Sequence, residues 1–205
     1  SCLATNRCGN ASTTIFEVLY TVATGQTQPN RWRLQAMEAL GHLSDERSVL
    51  ALLNAAGFDS YGEELLLDPE LPNVSSYDIR RLQNAAAEAL GGMIFAQERT
   101  GVYQMLNKMS RASDSQTSRK GFEGLRYFFR SDKHALAVAS IFAERFQGAL
   151  NSNDSDAAFF LKMLQTALVP GSNESHPDNR GMVIQSETEE MLKRYVLSTL
   201  FGEVF

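Results

Sequence analysis

The chain has 205 residues, 43% hydrophobic and 21% charged, with a formal net charge of −5. That length gives one domain or one repeat array, and the composition excludes wholesale disorder. No run of about 18 apolar residues occurs, so a transmembrane helix is excluded; the acidic balance argues against nucleic acid and anionic membrane, which are held by clustered Lys and Arg.

The elements read in chain order as helices. Asn10, Ala11 and Ser12 offer a cap, and Ile15, Val18, Leu19 and Val22 follow at helical spacing up to Gly25. A second helix starts after Pro29, with Trp32, Ala36, Met37, Leu40 and Leu43 as its apolar stripe. Ser44 and Asp45 make a tight turn into a partner helix carrying Val49, Leu50, Leu52, Leu53 and Ala56, closed by Gly57. So short a turn makes the two antiparallel neighbours. Residues 57–77 break the pattern: Glu63, Glu64, Asp68 and Glu70 surround a Leu run and form an acidic insertion. Ser76 or Asp78 is the expected cap of the next helix, with Ile79, Leu82, Ala86, Ala89 and Leu90 on one face and Gly91-Gly92 at its end. Val102, Met105, Leu106 and Met109 give its partner, followed by a polar link from Ser110 to Ser118. A third pair is expected over Gly121–Phe129 and Lys133–Leu150, then a helix from Asp154 to Leu168. A polar loop at 170–186 precedes a last helix, Glu187–Leu200, with Met191, Tyr195, Val196 and Leu200 apolar. No stretch alternates with period 2, so no sheet is expected and the fold class is all-α.

Two segments are copies. Arg33-Leu34-Gln35-Ala36-Met37-Glu38-Ala39-Leu40-Gly41 matches Gln83-Asn84-Ala85-Ala86-Ala87-Glu88-Ala89-Leu90-Gly91, and Gly121 to Arg126 is a weaker third. Two helices per period of roughly 30–40 residues describe a stacked helix-hairpin array. Stacked helices approach to about 8–10 Å, which the small residues Ala36, Ala39, Gly41, Ala86, Ala89 and Gly91 permit.

At these residues the chain resembles HEAT repeats, in particular the HEAT-like subtype related to phycobilisome lyase repeats. The tract Arg33 to Leu53 looks like one full repeat of that kind. The resemblance implies a single domain over 1–205: a right-handed α-solenoid of stacked antiparallel hairpins, about four to five repeats. It also implies a non-enzymatic scaffold that binds a protein partner on its concave face. In that family the second helices line the concave wall, here Ser48–Ala56, Thr100–Met109 and Lys133–Leu150. Their outward positions make Asn54, Gln104, Lys108, Lys133 and Arg145 the expected partner-binding residues. The acidic insertion is either a plain solvated loop or a second contact surface that overhangs this groove or pairs with the basic segment.

Other chemistries leave weaker traces. From Lys108 to Arg145 eight basic residues face four acidic ones, an excess that points to an anion-attracting surface or a solvated helix face. A nucleic-acid-binding, glycosylase-like protein is one alternative, with Trp32, Arg126, Tyr127, Arg130 and Asp132 as its candidates. A lipid or small-molecule carrier is another, with Phe122, Phe142, Phe146, Phe159 and Phe160 lining a groove. The histidines His42, His134 and His176 are far apart and form no metal motif, no phosphate loop or nucleophile elbow occurs, and no cofactor is expected. Cys2 and Cys8, with sequons at Asn10, Asn73, Asn153 and Asn173, point to an exported chain with one disulfide, two free thiols in the cytoplasm being the alternative. The apolar end, Leu200 to Phe205, is expected to tuck onto the last hairpin or continue into further sequence.

Overall fold

Short polar side chains set where the helices begin. Asp45 accepts the Arg47 backbone N–H at 2.9 Å, and Ser75 accepts that of Asp78 at 3.1 Å. Asp114 does the same for Thr117 at 2.8 Å. Each satisfies a donor that the first helical turn leaves open. In the computed structural model, which describes residues 6–43, 45–65, 75–97, 99–152, 156–168 and 186–202, the chain is all-helical. Among the described residues the only β-type pairing is an isolated bridge between Phe58 and Glu64. No helix there is long and apolar enough to cross a membrane.

Contacts divide the chain into two units, residues 1–122 and 123–205. The first holds α1 (Asn6–Thr24), α2 (Asn30–His42), α3 (Glu46–Ala55), α4 (Ser76–Gly91), α5 (Ile94–Gln97), α6 (Thr100–Ser110) and most of α7 (Ser115–Leu125). Here α2 packs on α1, α3 and α4, and α3 on α4 and α6. The two sequence copies are α2 and α4, and they meet at their small residues. A Cβ added to Gly41 would lie 2.9 Å from the Cβ of Ala89. Met37, Leu40, Leu52, Leu53, Ala86, Leu90, Met105 and Leu106 fill the core around that contact.

The second unit holds a 3-10 turn (Arg126–Arg130), α8 (Ala135–Ser152), α9 (Ala157–Leu168) and α10 (Ser186–Phe201). Its core is aromatic. Phe142 is fully buried, 5.4 Å from the ring of Phe129 and 6.3 Å from that of Phe160.

Several expected boundaries and faces are corrected. Helix α1 already runs from Asn6, so Asn10 lies inside it and not at its start. Its Ile15 and Val18 are exposed, and among its described side chains Ala23 is the fully buried one. Trp32 is 61% exposed, because the packed face of α2 is Arg33, Ala36, Met37 and Leu40, and Trp32 stands about a quarter turn off it. Leu50 is likewise exposed. Ser75, one residue earlier than expected, caps α4. The polar link after α6 is shorter than expected, since α7 begins at Ser115. Residues 126–130 are a 3-10 turn instead of a continuing α-helix, and α8 starts at Ala135, leaving Lys133 in the turn before it. In α10, Leu192 and Val196 are the buried pair, while Met191 and Tyr195 are exposed. The Cys2–Cys8 pairing, the sequons at Asn73, Asn153 and Asn173, insertion residues 66–74 and loop residues 170–185 lie outside the described residues.

Candidate functional site

One cavity in the first unit gathers polar groups from four elements. It has a volume of about 500 Å³ and lies where the ends of α1 and α3 meet α2 and the first turns of α4. Gly57 (φ +83°) turns the chain out of α3 and along its edge, a backbone region that favours glycine. Ala55, Ala56, Leu65, Ile79 and Leu82 supply the apolar part of the wall. Arg33, Asn54, Arg80 and Gln83 supply much of the polar part.

Arg33 is the unusual member. It is 6% exposed, on the packed face of α2. Its Nε donates to the Ala23 carbonyl at 3.0 Å and its Nη2 to the Ala55 carbonyl at 3.2 Å. Those carbonyls belong to the last turns of α1 and α3, where the helix dipoles concentrate negative partial charge. The guanidinium thus closes two helix ends at once. Burial pulls its pKa below the ordinary arginine value, yet a guanidinium stays charged in proteins. Among the described residues it forms no ion pair. Sequence reasoning missed it, although the series 33, 36, 37, 40 places it on the buried stripe.

The expected partner-binding residues divide between the units. Asn54 is exposed at the end of α3 and lines the cavity. Gln104 and Lys108 are half-buried and one turn apart on α6. Lys108 Nζ lies 2.6 Å from Glu63 Oε2, so the first part of the acidic insertion does pair with a residue of the basic segment. The same loop is pressed against the start of α6: a Cβ on Gly101 would lie 2.2 Å from the Ser60 carbonyl oxygen. Lys133 and Arg145 are exposed in the second unit, each already engaged in an interaction there or elsewhere in the fold.

The residues weighed for other chemistries are placed as follows. Trp32 belongs to the first unit; Arg126, Tyr127, Arg130 and Asp132 belong to the second. Arg126 donates from Nη2 to the Tyr127 hydroxyl at 2.9 Å and lies 4.8 Å from that ring's centre. Phe122, Phe142, Phe146 and Phe160 are buried core residues. Among the described residues no group of His, Cys, Asp and Glu could hold a metal ion. Against known proteins, no family model matches the chain, and the searches of curated proteins and of solved structures gave no significant match.

Proposed function

We propose that this chain is a non-enzymatic interaction protein, a right-handed α-solenoid of HEAT-like hairpins that holds a protein partner against its second helices. The observation that carries the reading is the packing of α2 on α4. The two copies of one sequence motif meet through the Gly41–Ala89 contact that their small residues allow. Stacking like on like extends a surface one hairpin at a time, and such surfaces serve recognition. Asn54, Gln104, Lys108, Lys133 and Arg145 are the contacts this reading assigns to the partner.

Site-specific photo-cross-linking tests it. A benzophenone side chain at Gln104 should cross-link one defined protein in the source cell, and one at the exposed Glu38 of α2 should not. Equal labelling from both positions, or labelling of nucleic acid alone, would overturn the reading. The purified pair should then bind directly in calorimetry.

A further inference from the structure

We infer that the cavity at the ends of α1 and α3 is a binding site for a small organic carboxylate, with Arg33 as its counter-ion. A guanidinium has five N–H donors, and Arg33 spends two of them on the Ala23 and Ala55 carbonyls. The other three have no acceptor among the described residues, and a carboxylate bound edge-on takes two. The side chain is more than nine-tenths buried and forms part of the cavity wall. The two carbonyls carry only partial negative charge, and among the described residues no carboxylate pairs with Arg33, so an anion in the cavity would complete the compensation of a buried charge.

Three further features define the anion. The first turns of α4, through Ser76, Ile79 and Arg80, line the same cavity, and a helix N-terminus carries positive partial charge. The cavity also holds Glu64, whose carboxylate repels a dense anion such as phosphate more than a singly charged one. Ala55, Ile79 and Leu82 offer an apolar wall to the rest of the molecule, and Asn54 and Gln83 offer amides. A volume of about 500 Å³ suits a small molecule.

The experiment is an NMR titration of the full-length ¹⁵N-labelled chain with sodium hexanoate, following the Arg33 Nε–H and the Asn54, Gly57 and Gln83 signals. Hexanamide serves as the neutral isostere, and sodium chloride and sodium phosphate at matched ionic strength as ionic controls. Hexanoate should shift these signals saturably and bind at least about tenfold tighter than hexanamide. Asn54→Asp, an exposed change that keeps Arg33 in place, should weaken hexanoate about tenfold by adding a like charge. Arg33→Lys should also abolish the preference over hexanamide; should that variant fail to fold, Asn54→Asp decides. Equal binding of the amide, tighter binding of phosphate, or unaltered affinity in Asn54→Asp would overturn the assignment. So would a peptide with a free carboxyl terminus that displaces hexanoate at lower concentration, because the natural ligand would then be a chain end. Tighter binding after Asp68→Asn with Glu70→Gln would overturn it too, by showing that the chain's own carboxylates compete for the site.

Discussion

Two buried cations-to-be, Arg33 and His134, illustrate opposite outcomes of desolvation. Arg33 keeps its charge by spending two donors on helix-end carbonyls. Replacing it with Met leaves the Ala23 and Ala55 carbonyls without this partner, at about 1–3 kcal/mol for each one left unsatisfied, less what is regained by no longer burying a charge. A net loss of roughly 2 kcal/mol, some 4–8 °C in melting temperature, is the expected calorimetric result. Arg33→Lys should recover part of it, since an ammonium cannot reproduce the planar fork. His134 is buried in the second unit, its ring edge-on to Phe128 at 5.6 Å. Burial first, and the charge of Lys133 second, push its pKa below the ordinary value. The unfolded chain, titrating near about 6.5, therefore takes up the proton more readily than the folded one. Stability from this group is complete above that pH and is lost as pH falls through the lower folded pKa. The melting temperature should decline on acidification below about pH 6.5, and His134→Phe should flatten that slope. Asp45, Asp78 and Asp114 are also held low, by hydrogen bonds from Arg47, Ser75 and Thr117 respectively, so they act only in the more acidic window below 3.8.

At the scale of elements, the backbone distance between helices decides what a glycine is worth. Gly121 on α7 faces the end of α6, where a Cβ would lie 2.4 Å from the Ser110 nitrogen and 2.8 Å from the Met109 carbonyl carbon. Gly148 on α8 is helical too, but a Cβ there meets nothing within 4 Å. Alanine in a helix is favoured over glycine by about 1 kcal/mol, whereas overpacking against backbone costs about 1–3 kcal/mol. Gly148→Ala should therefore raise the denaturation midpoint and Gly121→Ala should lower it; a rise for Gly121→Ala would contradict the α6–α7 packing. This contrast marks what a sequence can and cannot disclose. The α2 and α4 copies were legible because their apolar and small residues repeat at helical spacing. Helix α7 was half-legible: its first turn, Ser115-Gln116-Thr117-Ser118, has no apolar residue, and only the Asp114 cap announces it. The face of α10 was misread because Met191, Leu192, Tyr195 and Val196 are adjacent apolar pairs, and periodicity alone does not choose which member turns inward. Of the cavity's polar lining, only Asn54 was among the expected contacts; Arg33 was not, because a charged residue in a helix is ordinarily solvated.

For the whole molecule the question is how a net charge of −5 and a locally basic stretch from Lys108 to Arg145 act together on a partner. Lys108 is the informative residue, because it is both an expected contact and half of an ion pair with Glu63. The Lys108 side chain is 37% exposed and that of Glu63 68%, so solvent screens the pair and it contributes about 0–1 kcal/mol. Reversing Lys108 alone puts two carboxylates opposite each other, which confounds a lost partner contact with a disturbed loop. The double exchange Glu63→Lys with Lys108→Glu keeps an ion pair in place while inverting the charge that α6 presents. It should melt within about 1–2 °C of the native chain. The triple reversal Lys108→Glu, Lys133→Glu and Arg145→Glu should melt within a few degrees, as exposed substitutions cost about 0.5 kcal/mol each. If the partner reads positive charge on α6, the double exchange and the triple reversal both weaken binding of an acidic partner, by about tenfold or more, and the loss shrinks as salt rises. A triple reversal that unfolds the chain makes these side chains structural. A double exchange that binds as the native chain does removes Lys108 from the interface and transfers the role to the second unit, where Lys133 and Arg145 would have to carry it alone.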